Sequence, residues 1–398
     1  MHYVIIGGSA AGISCIEAIR EIDKKSDITL IGDEKLSLYS RCLLSYLLAG
    51  VINEGSLYFK KKDFFQRHKV EAVLGVRANK IDLKSQTVTA SNKGTIGFDK
   101  LLIATGSRSK MLDIPGVERT GIFALRTIKD VSGIEAILKK TRTAVVLGGG
   151  LIGLRAAYAL NNRGVIVKVV VKSPQILSQI LDKTAADLMQ ERVEKKGIEI
   201  MKGLEAMEIL GKDGVESVVM DNGTKLSCEL VIVGKGVEPN VELAADAKIK
   251  TQSGIIVDDY LATSAKNVFA AGDAAQTSDI TSGETTLNAI WPCAVEQGKI
   301  AGKNMAGEKV KYDGSMAMNS IEFFGLPVIS MGITRPRGGD YEELTAINKQ
   351  KNLYKKVVLK DGVMKGFISV GKIENAGIYN ALIKSRVDIA AIKDVLLN

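Results

Sequence analysis

The chain has 398 residues, 46% of them hydrophobic, with 40 glycines and only 6 prolines, which predicts a globular α/β protein of two or three domains, neither disordered nor fibrous. Its formal charge of +9 is carried by lysines scattered among acids, without a nucleic-acid-binding motif. Nucleic acid is therefore excluded as a partner, Lys60-Lys61-Lys62 reads as a solvated face, and long-range steering favours acidic proteins and anionic cofactors.

No apolar run approaches the roughly 20 residues of a membrane span. The start, MHYVIIGG, lacks the basic and apolar regions of a secretory signal. Cys15, Cys42, Cys228 and Cys293 form no CxxC pair, which argues against a disulfide framework, a metal site or an iron–sulfur cluster. A cytoplasmic protein is expected.

In chain order, Tyr3 to Ile6 predict a short apolar strand, and Gly7, Gly8 and Gly12 occupy the turn after it. From about Ala11 the residues Ile13, Ile16 and Ile19 fall at helical spacing. Strand, glycine turn and helix aim backbone N–H groups, here of Ser9, Ala10 and Ala11, at a diphosphate. The middle position of GxGxxG is Ser9, so this turn alone is a moderate match. A second strand, DITLIGDE, ends in Asp33-Glu34, where an acid can accept the ribose hydroxyls of an adenosine. Cys15, one turn past Gly12, reads as core.

The same pattern recurs over residues 143–172. Gly148, Gly150 and Gly153, with Leu151 and Ile152 between them, form a full GxGxxG after an apolar strand, and Val165 to Val171 form the next strand. Two such turns in one chain imply two dinucleotides passing electrons between them. Near the C-terminus, Asp361-Gly362 predicts a hairpin turn, and helical patterns follow near 375–385 and 388–397.

With LLIATGSR (101–108), LVIVGKGVEPN (230–240) and VFAAGDAA (268–275) in order, the sequence resembles the FAD-dependent pyridine-nucleotide oxidoreductases. DEKLSLYSRCLLSYLLAG (33–50) and AIWPCAVEQGKIAGKNMAG (289–307) are similar to the branch containing NADH:rubredoxin oxidoreductase and the flavin domain of nitrite reductase. The resemblance implies two Rossmann-like dinucleotide-binding domains, the second inserted in the first. The FAD domain would span 1–109 and 240–309, the NAD(P) domain 110–239, and a small α+β domain 310–398.

It also implies roles. Gly7, Gly8, Gly12 and Glu34 would hold the ADP half of FAD. Arg41, Thr105, Gly106, Arg108, Gly272 and Asp273 would lie along its diphosphate and ribityl chain. Trp291 and Gln297 would approach the isoalloxazine. Gly148, Gly150, Gly153 and Gly236 would take NAD(P)H, with Lys172 near the adenosine ribose. The acceptor implied is a small acidic iron–sulfur carrier, rubredoxin- or ferredoxin-like, and a homodimer or a place in a redox complex is compatible with this.

Two residues depart from the branch pattern. Arg155 stands where relatives carry a glutamate that helps place the nicotinamide amide, and an arginine cannot accept a hydrogen bond. Val171 stands where NAD-specific relatives carry the ribose acid, so NADPH is not excluded.

Cys42 admits two readings. A related branch of NADH oxidases, peroxidases and CoA-disulfide reductases uses one cysteine at this distance from the first glycine turn. The neighbours Arg41 and Leu43 fit instead the electron-transfer branch, whose residue here is a redox-inert proline. Ala10 also replaces the peroxidase-type histidine. A thiol enzyme using Cys42 and a relay subunit of a larger complex are thus the alternatives to carrier reduction.

Overall fold

His2–Ile6 and Thr143–Leu147 are short apolar strands, buried along almost their whole length as strands covered on both faces must be. Each is the centre of a five-stranded parallel sheet. The first sheet runs Val268–Ala270, Lys100–Ile103, His2–Ile6, Asp27–Gly32, Val70–Leu74. The second runs Glu199–Lys202, Ile166–Val171, Thr143–Leu147, Leu230–Val233, Ile122–Phe123. In both, the glycine turn leaves the central strand, and a helix, Ala10–Ile22 or Leu151–Asn162, follows it. The predicted doubly wound α/β architecture is thus present twice.

The structure, a computed structural model, describes residues 1–91 and 93–397. The chain forms two units. One comprises Met1–Cys42, Glu54–Arg108 and Glu238–Met316; the other comprises Leu43–Asn53, Ser109–Val237 and the chain from Ala317 onward. Leu43–Asn53 therefore joins the second unit, which the sequence did not signal. Its short helix Leu44–Leu48 buries Leu44 and Leu48, and Arg163 donates to the Leu48 carbonyl at 2.9 Å.

The first unit is held by two helices in close contact. Ala10–Ile22 packs on Trp291–Met305, and the interface is built on glycine. A Cβ on Gly298 would stand 2.1 Å from the Ala11 carbonyl oxygen, and one on Gly302 would stand 2.5 Å from that of Cys15. Cys15 is fully buried there, its Sγ 3.7 Å from the Met305 sulfur, and burial pushes its thiol pKa up.

In the second unit the C-terminal segment is an antiparallel sheet, ordered Met318–Phe323, Leu326–Gly332, Val363–Val370, Leu353–Lys360, Tyr341–Asn348. The predicted hairpin turn is there, with φ of 51° at Asp361 and 73° at Gly362, the two positive values that a type I′ turn requires. The helix Ala376–Ser385 covers this sheet, and the pattern near 388–397 forms a 3-10 turn over Ala390–Val395. Lys356 of the fourth strand is only 4% exposed; its Nζ lies 2.5 Å from Glu343 and 3.4 Å from Asp182. Asp182 also accepts from the Tyr354 hydroxyl at 2.6 Å and caps the helix Lys183–Glu194 through the Ala185 N–H.

Among the described residues no helix is long and apolar enough to cross a membrane.

Candidate functional site

The two glycine turns are built alike. Gly7 has a φ of 116°, and a Cβ on it would stand 2.0 Å from the Ala104 carbonyl oxygen; a Cβ on Gly12 would stand 1.9 Å from that of Gly7. Gly148 has a φ of 131°, and its Cβ would meet the Gly234 oxygen at 2.3 Å, while one on Gly153 would meet Gly148 at 1.9 Å. Close strand–turn–helix packing accounts for these four glycines.

Packing does not account for Gly150 and Gly8. A Cβ on Gly150 would meet nothing within 4 Å, and one on Gly8 would make only ordinary contacts. Ser9 and Gly150 are the N-caps of the two helices, and neither helix has a side-chain cap. Ala10 and Ala11 are small and buried; Ile152, in the first turn of the second helix, is 38% exposed. Each helix thus presents first-turn backbone N–H groups with no acceptor among the described residues, beside a position, Gly8 or Gly150, where side chains leave room. A dinucleotide diphosphate fits both places.

Around the first turn, Glu34 accepts from the Tyr39 hydroxyl and from Arg41, while Asp33 is exposed. Burial works against the Arg41 charge, but Tyr39 and Glu34 outweigh it and hold the guanidinium above its ordinary pKa. Thr105 and Asn240 are latched together: Thr105 Oγ1 donates to the Asn240 carbonyl at 2.7 Å, and Asn240 Nδ2 donates to that of Thr105 at 2.9 Å. The Asn240 N–H reaches the Gly106 carbonyl at 2.9 Å. Asp273 accepts from the Ser107 hydroxyl at 2.7 Å. The Gly272 N–H donates to Gln297 Oε1 at 2.7 Å, and Gln297 is 2% exposed. These bonds tie residues 105–107 to 240 and to 273, and Gly272 to Gln297.

Two further expected residues make contacts within the same unit. Arg108 is half-exposed; it donates to Asn240 Oδ1 at 3.1 Å and pairs with Glu242 at 2.5 Å and Glu238 at 3.3 Å. Trp291 meets Phe59 edge-on, with centroids 5.0 Å apart. Ser107, Asn240 and Phe59 were missed by sequence reasoning; the asparagine of the GxxPN segment was the available signal for one of them.

Around the second turn, Gly236 is exposed, and Lys172 is paired with Glu205 at 2.6 Å. Arg155 donates to the Tyr46 hydroxyl at 2.6 Å and lies over the rings of Tyr46, at 4.9 Å, and Phe323, at 5.5 Å. It therefore ties the Leu43–Asn53 segment and the C-terminal sheet to the helix Leu151–Asn162. Arg155→Ala is expected to lower the stability of this unit by about 1–2 kcal/mol in urea unfolding. Arg155→Lys should restore less than half, because an ammonium cannot lie flat between two rings. An unchanged midpoint in both variants would contradict this.

Of the cysteines only Cys42 is exposed, on the 3-10 turn Arg41–Leu43. Burial and the neighbouring Glu229 push the Cys228 thiol up to about 12, and Cys293 is buried with Sγ 3.9 Å from the Met316 carbonyl.

Residues 1–298 match the family described as "Pyridine nucleotide-disulphide oxidoreductase". The chain belongs to this family. The cofactors of this pyridine nucleotide-disulphide oxidoreductase are FAD and NAD(P)H. Residues 318–387 match the "Rubredoxin NAD+ reductase C-terminal domain". The assimilatory nitrate reductase electron transfer subunit of Bacillus subtilis is 32% identical over 400 residues, 99% of this chain but 50% of that protein, so the chain spans about half the length of that relative. Among solved structures, the ferredoxin reductase for the CYP199A2 system of Rhodopseudomonas palustris superposes with a TM-score of 0.91 at 28% identity, covering 100% of this chain and 98% of that one. The NAD-dependent persulfide reductase of A. fulgidus gives 0.93 at 25% identity, covering 100% and 79%.

Proposed function

We propose that the chain takes reducing equivalents from NAD(P)H and delivers electrons to a small acidic iron–sulfur carrier of the rubredoxin or ferredoxin type. The observation that carries the reading is the pair of helix N-termini without a side-chain cap, one beside Gly8 and the other at Gly150, where side chains leave room. The match of residues 318–387 and the likeness to a ferredoxin reductase support the choice of acceptor.

Bound FAD supplies two-electron uptake from NAD(P)H and stepwise release. The chain binds and orients. Gly7, Gly8 and the N–H groups from Ser9 to Gly12 would hold the FAD diphosphate. Glu34 would take the adenosine ribose hydroxyls, exchanging its bonds from Tyr39 and Arg41 for them. Asp273, steadied by Ser107, would take the ribityl chain, and Gln297 would fix Gly272 beside it. Gly148, Gly150 and the N–H groups from Leu151 to Gly153 would hold the NAD(P)H diphosphate. No side chain need act as acid or base, since the bound FAD would supply the redox chemistry and the residues named would only hold and orient it. A cytoplasmic setting is part of this reading.

The exposure of Cys42 favours a second reading, a thiol enzyme like the persulfide reductase it resembles in fold. Stopped-flow reduction of an acidic iron–sulfur carrier, with flavin reduction followed in parallel, separates the two. The carrier rate should fall as salt rises, because surface charge reaches only about 8 Å at physiological ionic strength. Flavin reduction at saturating NAD(P)H should change little, and Cys42→Ser should keep both. Carrier reduction lost in Cys42→Ser, with normal flavin reduction, would move the assignment to the thiol. No carrier reduction by the wild type would leave a relay subunit of a larger complex.

A further inference from the structure

In a fold of this kind an acid at the carboxyl end of the Ile166–Val171 strand grips the adenosine ribose. The residue there is Val171, and its side chain is committed to packing. It is 4% exposed, and a Cβ on Gly149 would stand 2.6 Å from its Cγ2, so the valine lies directly on the glycine turn. The chain brings a carboxylate to the same edge from another place. After the strand Glu199–Lys202 it runs back beside Val171, where the Leu204 N–H reaches the Val171 carbonyl at 3.3 Å. The next residue, Glu205, sets Oε2 2.6 Å from Nζ of Lys172, with side chains 37% and 69% exposed.

A second lysine completes the group. Lys235 lies in the turn Gly234–Gly236, whose Gly234 oxygen abuts Gly148. It is partly buried, and burial lowers its pKa; Glu205 opposes that shift and Lys172 adds to it. Glu205, Lys172 and Lys235 thus gather at the edge of the second glycine turn; Glu205 stands outside the family motifs, whereas Lys235 belongs to the segment 230–240.

We propose that Glu205 selects between the two nicotinamide nucleotides. Its carboxylate accepts the adenosine ribose hydroxyls of NADH, whereas Lys172 and Lys235 take the 2′-phosphate of NADPH. The Glu205–Lys172 ion pair is the contact that either ligand exchanges. The inference rests on the assignment of this fold to NAD(P)H. Its chemistry is simple: a carboxylate accepts two hydroxyl protons well and repels a dianionic phosphate, and a lysine pair does the reverse. With both present, neither nucleotide is shut out.

Calorimetric titration of the FAD-loaded protein with 5′-ADP and with 2′,5′-ADP tests this without turnover, since neither ligand carries a nicotinamide. Wild type should bind both. Glu205→Gln should tighten 2′,5′-ADP about tenfold and weaken 5′-ADP several-fold, while Lys172→Gln with Lys235→Gln should weaken 2′,5′-ADP by about tenfold or more and spare 5′-ADP. All three side chains can be changed with little effect on folding, which the retained FAD absorbance checks. If both ligands bind and Glu205→Gln leaves their ratio unchanged, the selecting role of Glu205 is overturned and the nucleotide site stands. If neither ligand binds the FAD-loaded wild type, the site assignment fails and this inference with it.

Discussion

Lys356→Ala is expected to cost the second unit about 3–5 kcal/mol in urea unfolding, a large share of the stability of any domain. Lys356 is 4% exposed and sits between Glu343 and Asp182. Removing it leaves Asp182, whose side chain is only 17% exposed, without its cation, while the exposed Glu343 can turn to water, and it opens a cavity besides. Lys356→Met keeps most of the volume, so the difference between the two variants measures the cavity and their common loss measures the charge. The double variant Lys356→Met with Asp182→Asn should recover much of the loss, because no poorly hydrated charge is left unpaired and the amide oxygen can still accept from Tyr354 and cap the helix. Asp182→Ala should cost as much as Lys356→Ala, since Asp182 also accepts from Tyr354 and caps the Lys183–Glu194 helix. A loss below about 1 kcal/mol for Lys356→Ala would show that the site is better hydrated than its geometry implies.

Gly298→Ala should destabilise the first unit by about 1–3 kcal/mol or more and release FAD on gel filtration. The added methyl would stand 2.1 Å from the Ala11 oxygen and 2.8 Å from the Ala11 Cα, all backbone atoms that no rotamer change can move. The two helices must separate, and Ala11 lies in the first turn of the helix whose N–H groups face the proposed diphosphate. Stability and cofactor retention should therefore fall together. Gly377→Ala is the control: it lies in the helix Ala376–Ser385 with nothing within 4 Å of the new Cβ, and should be neutral or stabilising by up to about 1 kcal/mol. Full FAD content in Gly298→Ala would uncouple the helix interface from the site.

What the sequence made legible follows from the range of the forces involved. Both glycine turns could be read because a strand, a tight turn and a helix are contiguous, and sterics at Gly7, Gly12, Gly148 and Gly153 tolerate no other residue. The Asp361-Gly362 hairpin was legible for the same reason. Pairings between charged residues were not: Lys356 looks like any strand lysine until Asp182 is seen across the fold, and Glu205 lies far along the chain from Gly148. Arg155 could be flagged as unusual, yet its partners Tyr46 and Phe323 come from two remote segments. The Leu43–Asn53 excursion was missed because a five-residue apolar helix carries no mark of which core will bury it.

The strand order of the first sheet has a consequence for how the protein is made. Its edge strand Val268–Ala270 pairs with Lys100–Ile103, and the partner of its first helix is Trp291–Met305, so both arrive only after the whole second nucleotide fold has been synthesised. A nascent chain that has emerged as far as Arg108 holds a four-stranded sheet whose Lys100–Ile103 edge lacks its neighbour, and a helix bare on the side Gly298 and Gly302 will later meet. Such an intermediate exposes apolar surface and unpaired strand edge together, the combination that recruits chaperones and promotes aggregation. The second parallel sheet, by contrast, is continuous in the chain from Ile122 to Val233 and can close while the first is still waiting.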